Sequence, residues 1–193
     1  MPSVFESIVS SPGLWGLAGV ILGSALTIFK DIWLNNKTQS LLRAYASIRL
    51  FCVLNHFIDN CVEVVRDEGS CETQDHGQEE RYPNVGAPTK LELPLDIDWK
   101  SLEPDFLYQI LSLPTQLANA LNSISGISDI PDEPPDHEVY FNNRAIEFSR
   151  LGLIAYELAE TLRRTQDIPN LQRSIDPRDV FNSILRSNEV QSD

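Results

Sequence analysis

Apolar positions follow three different patterns along this chain, and each predicts a different element. The first is an unbroken run. From Ser7 to Phe29, SIVSSPGLWGLAGVILGSALTIF, 23 residues pass without a charged side chain. As a helix that length rises about 34 Å, against a hydrocarbon core of about 30 Å. Trp15 and Trp33 flank the densest part, about 27 Å apart along a helix, as interfacial anchors would be. The run therefore predicts a membrane span over about residues 8–29. Other readings compete with it. A cleaved signal peptide needs a basic start, and the first charge here is Glu6, although Gly23-Ser24-Ala25 has the small residues of a cleavage site. A buried helix is seldom so long, and a surface-lying helix needs a charged face.

The second pattern has the helical period. Leu41, Leu42, Tyr45, Ile48, Phe51, Leu54, Phe57, Ile58, Val62 and Val65 recur mostly at steps of three and four. No glycine or proline interrupts the chain between Gly23 and Gly69, so one helix is expected to run on to about Arg66 and to end at Asp67-Glu68-Gly69. Two further helices are expected, over about Glu103–Ser123 and about His137–Arg164. In the first, Pro114 kinks the helix or opens a second one. The second carries a stripe of Phe141, Ala145, Phe148, Leu151, Ala155, Leu158 and Leu162, with Arg163 and Arg164 closing it favourably for the helix dipole. Asp176-Pro177 reads as the N-cap and first turn of a short last helix through Leu185.

The third pattern is an alternation in the segment LELPLDIDW at 91–99, with Leu91, Leu93, Leu95, Ile97 and Trp99 apolar. That is a strand period, but it stands alone and contains Pro94, so it predicts an extended strap on the helices rather than a sheet. Residues 69–90 are polar and read as a loop. The expected fold is all-α: a single N-terminal transmembrane helix continuing into a cytosolic bundle of three to four helices. The domain reading is an anchor over 1–36, a bundle over 37–187 that includes a long acidic loop over 67–100, and a frayed tail over 188–193.

Charge refines this picture. The 193 residues hold 15 basic and 28 acidic groups, a net −13. Residues 67–138 carry 3 basic and 16 acidic groups and most of the prolines, so the imbalance lies in the connection between the helical regions. A protein that neutralises phosphates needs a basic face, which excludes nucleic acid as an expected partner. Lys30, Lys37, Arg43 and Arg49 follow the apolar run and no basic residue precedes it. The positive-inside rule then places the N-terminus outside and the C-terminal part in the cytoplasm of a bacterial inner membrane. Reduced Cys52, Cys61 and Cys71 suit that compartment.

The string LAGVILGSALTIFKDIW, followed by a long helix and then by DWKSLEPDFLYQILSLP and RLGLIAYELAETLRR, resembles uncharacterised small bacterial inner-membrane proteins with one N-terminal span and a helical cytosolic part. The resemblance is architectural and covers most of the chain. It implies an anchor and a helical body, and carries no catalytic residue.

Cys52 and His56 share a helix face at i, i+4, but Cys61 lies on the opposite one, and Cys71 and His76 are in the polar loop. Asp96-Ile97-Asp98 is a D-x-D without a phosphate loop. Glu157/Glu160 and Asp59/Glu63 lack the Glu-x-x-His of a carboxylate-bridged metal bundle. Asn55, His56, Asp59, Asn60 and Glu63 form a polar patch that reads as a buried network, a binding face or a solvated face. Ser125-Gly126 and Ser149 have no adjacent histidine, and Gly-x-Ser-x-Gly is absent. No catalytic residue, metal or cofactor is assigned. Gly16, Gly19, Gly23 and Thr27 share a stripe about 80° wide, a surface on which two membrane helices could approach closely. The expected function is a non-enzymatic, single-pass interaction or adaptor protein whose partners are membrane lipid, an unknown protein and, through the glycine stripe, a second copy. A self-associating sensor, effector or pore component and a membrane-anchored enzyme are the alternatives.

Overall fold

The structure is a computed structural model and describes the backbone of residues 12–73, 79–128 and 138–191. Among these residues there are four helices: α1 (Pro12–Val65), α2 (Pro104–Ser128), α3 (Glu138–Thr165) and α4 (Pro177–Gln191). An antiparallel hairpin of β1 (Ser70–Thr73) and β2 (Glu79–Tyr82) follows α1, and a 3₁₀ turn, Trp99–Ser101, precedes α2. The chain divides into two compact units, residues 1–43 and 44–193.

The first unit does not support the membrane reading. The described side chains of α1 begin at Gly23, and Lys30, Asp31, Asn35, Asn36 and Lys37 soon break their apolar run. Among the described residues no helix is long and apolar enough to cross a membrane. The transmembrane, single-pass and inner-membrane assignments are corrected on that finding. The outside-to-cytoplasm orientation that depends on them falls with it. Trp33 is 57% exposed, and the Lys37 ammonium lies 5.4 Å from its ring centroid. Trp15, Gly16 and Gly19 lie outside the residues whose surroundings are described. Thr27 Oγ1 donates to the Gly23 carbonyl at 3.0 Å within the same helix, and a Cβ built on Gly23 would meet nothing within 4 Å.

The second unit is a helical body with one core. Its buried side chains come from α1 (Leu50, Leu54, Ile58), α2 (Ile110, Leu113, Leu117), α3 (Phe148, Leu151, Ala155) and α4 (Phe181). The 3–4 steps of the sequence put these residues on the inward faces, as expected for helices that must cover one another. Pro114 neither breaks nor splits α2, which runs unbroken to Ser128. Helix α4 reaches Gln191, six residues past Leu185. The hairpin was not expected. Its strands, SCET and EERY, are polar and lack alternation, and they are held by backbone pairing of Ser70 with Tyr82 and Cys71 with Arg81.

Two glycines let the elements approach. Gly69 has φ +72° and turns the chain out of α1, where a Cβ would collide with the Phe141 ring and the Tyr82 carbonyl. Gly152 of α3 lies flat against Phe181 of α4, and a Cβ there would stand 2.3 Å from the ring.

Candidate functional site

Three places bring polar side chains together, and the first is a fastening. Asp67, just past the end of α1, accepts hydrogen bonds from the backbone N–H of Gly69 at 3.0 Å and of Val85 at 2.9 Å. Asn84 reaches it through both its backbone and its amide, and Arg144 Nη1 of α3 lies 3.0 Å away. Arg144 also donates to the Val85 carbonyl. Both side chains are all but sealed, at 2% and 1% exposure. Burial pushes the Asp67 carboxyl upward, but the backbone N–H groups of Val85 and Gly69, the guanidinium and Asn84 outweigh it and hold the group down at about 2. This node ties the end of α1, the 84–85 turn and α3 together.

The second place is a groove of about 440 Å³ beside α1, lined by Arg49, Cys52, His56, Asn60, Lys90 and Glu92 among others. Cys52 is exposed. Its cations are already paired, Arg49 with Asp96 at 3.2 Å and Lys90 with Glu92. Cys61 is buried, which pushes its thiol far up, and Cys71 is exposed, so the three cysteines do not share a site. His76 lies outside the described residues. Among the described residues no group of three or more His, Cys, Asp or Glu is placed to hold a metal ion.

The third is a pocket of about 160 Å³ between α1, α3 and the segment entering α4. Here the polar patch of α1 finds a partner. Arg173 Nη2 donates to Asn55 Oδ1 and lies 2.9 Å from Asp59 Oδ1. Asn55 is itself buried and donates to the Phe51 carbonyl at 2.7 Å, so it is fixed from both sides. The patch therefore splits: Asn55 and Asp59 face the third place, while His56 and Asn60 face the second.

The remaining sequence candidates have structural work. Asp96 accepts from the Tyr45 hydroxyl at 2.9 Å and from Arg49, which holds its carboxyl below the usual range. Asp98 caps the 3₁₀ turn by accepting from Lys100 N. Glu160 takes both bonds of the Arg163 fork, at 2.8 and 2.9 Å. Ser149 is fully buried and Ser125 Oγ donates to the Asn122 carbonyl, so neither is presented as a nucleophile. Comparisons with family models, with curated proteins and with solved structures give no match. No sequence motif marks Arg144, Tyr156 or Arg173. Arg144 did carry a signal: it is a lone charge within one turn of Phe141, Ala145 and Phe148 on an apolar stripe.

Proposed function

We propose that this chain is a non-enzymatic interaction protein whose helical body docks a partner protein. The observation that carries the reading is the setting of Leu95, which is 95% exposed. In this reading residues 91–99 serve as a strap, with Ile97 buried on one side of Leu95 and Leu93 packed against the core on the other. The bonds from Tyr45 and Arg49 to Asp96 fix the next residue in place. Tyr45 and Ile48 on α1 are themselves about half exposed. The backbone on either side of Leu95 is held while its side chain is unburied, so binding orders little more than that one side chain, and covering it contributes roughly 2 kcal/mol. Apolar anchors of this kind, ringed by polar groups such as Arg49 and Asp96, are what protein partners bury.

Photo-crosslinking in the native cell tests this. A benzophenone amino acid placed at Leu95 or at Ile48 is expected to capture one and the same protein, and at Arg186 on α4 to capture none. Capture of a second copy at both positions would identify that partner as the chain itself. Equal adducts at all three positions, or none at Leu95, would refute the surface.

A further inference from the structure

Val85 is held at both of its backbone groups, the N–H by Asp67 and the carbonyl by Arg144. Beyond it the pairing stops. From Gly86 to Leu95 no backbone N–H or C=O makes a hydrogen bond among the described residues. Backbone groups demand partners, from protein or from water. The side chains of the same stretch show how it runs. Lys90 and Glu92 pair with each other on the outside, while Leu91 and Leu93 pack against the core. Alternation out and in is the period of an extended strand, in which successive residues turn their N–H and C=O to opposite edges. Leu91 and Leu93 therefore share one edge, and Lys90, Glu92 and Pro94 the other. Proline has no N–H, so the edge of Leu91 and Leu93 is the one that keeps its donors. The groove of about 440 Å³ lies between this stretch and α1, with Val53 and Phe57 in its lining and Cys52, His56 and Asn60 along α1.

We propose that this groove takes an extended peptide of a partner protein, added to residues 90–93 as a second strand. The site is separate from the Leu95 surface and stands or falls without it. The peptide backbone bonds the N–H and C=O groups of Leu91 and Leu93, which gives affinity independent of its sequence. Every second side chain of the peptide turns to the groove, where Val53 and Phe57 favour an apolar one. Charge does not choose the peptide, because Arg49 is paired with Asp96 and Lys90 with Glu92. A helix would not serve, since it closes its own backbone bonds and has none left for the edge.

The test takes the full chain and a phage-displayed library of random dodecapeptides. Selection is expected to enrich peptides with apolar residues at every second position. The tightest of them, synthesised, is then followed by amide hydrogen exchange on the ¹⁵N-labelled full chain. In the free chain the amides of residues 90–93 are expected to exchange fast. At saturation those of Leu91 and Leu93 are expected to slow about tenfold, and those of Lys90 and Glu92 to stay as they were. Cys52→Trp puts bulk into the groove from an exposed position and is expected to weaken the peptide about tenfold. Cys71→Trp, also exposed but on the hairpin, is expected to leave binding unchanged. Absence of any enriched peptide would overturn the proposal, as would binding that Cys52→Trp does not weaken. So would Leu91 and Leu93 amides that stay fast in the complex, or that are already slow in the free chain because a second copy pairs with them.

Discussion

Two aspartates in one stretch of chain, Asp67 and Asp96, each pair with an arginine of a helix, and they do opposite things. Asp67 and Arg144 are sealed at 1% and 2% exposure, whereas Asp96 and Arg49 are about half open, at 52% and 48%. Around Asp67 the carboxylate is surrounded by donors from three parts of the chain, and losing it strands a buried guanidinium. Around Asp96 water can replace either partner. The same two residue types thus make an internal fastening in one place and a surface support in the other. Burial, not pairing, decides which.

The sharpest way to break this comparison is to unpair the buried site. Asp67→Ala leaves Arg144 charged and without its carboxylate, and is expected to cost about 3–5 kcal/mol of unfolding free energy in urea. A cost under 1 kcal/mol would mean that Arg144 finds water, and the distinction between the two sites would fail.

Acid separates the two sites next. The Asp67 carboxyl lies at about 2 in the fold, against about 3.9 when unfolded. A group lowered by folding stabilises above its unfolded value and loses that contribution as the pH falls through the folded one. About 2 kcal/mol should therefore disappear between about pH 4 and pH 2. Urea midpoints followed down that range should fall in the wild type, and much less in Asp67→Asn, which has already lost the charge.

The interior should also reject a single added carbon. In a helix Gly→Ala ordinarily gains up to about 1 kcal/mol. At Gly152 the new Cβ meets Phe181, which is itself fully buried, so Gly152→Ala is expected to destabilise by about 1–3 kcal/mol. A thermal melt that rises rather than falls would show that α4 can shift off α3.

Most of the helical body is legible in the sequence, because the 3–4 stripe of Leu50, Leu54 and Ile58, and that of Phe148, Leu151 and Ala155, states the inward face directly. The end of α4 is less so, because its apolar period lapses after Leu185 while the helix runs on to Gln191. The hairpin is invisible to pattern reading, since SCET and EERY carry no alternation. The fastening and the pocket are hidden for another reason. Asp67 and Arg144 lie 77 positions apart and Asn55 and Arg173 lie 118 apart. Spacing rules relate neighbours on one element and cannot join such pairs. The membrane expectation rests on a charge-free run with flanking tryptophans and following basic residues, and among the described residues no helix bears it out.

In the proposed reading the Asp96 support presents Leu95 and does not hold the fold. Asp96→Ala in a chain with the benzophenone residue at position 95 tests both halves in one sample. The crosslinked adduct is expected to fall several-fold while the urea midpoint of the variant stays at the wild-type value. An undiminished adduct would contradict it, and so would a midpoint that drops as far as that of Asp67→Ala.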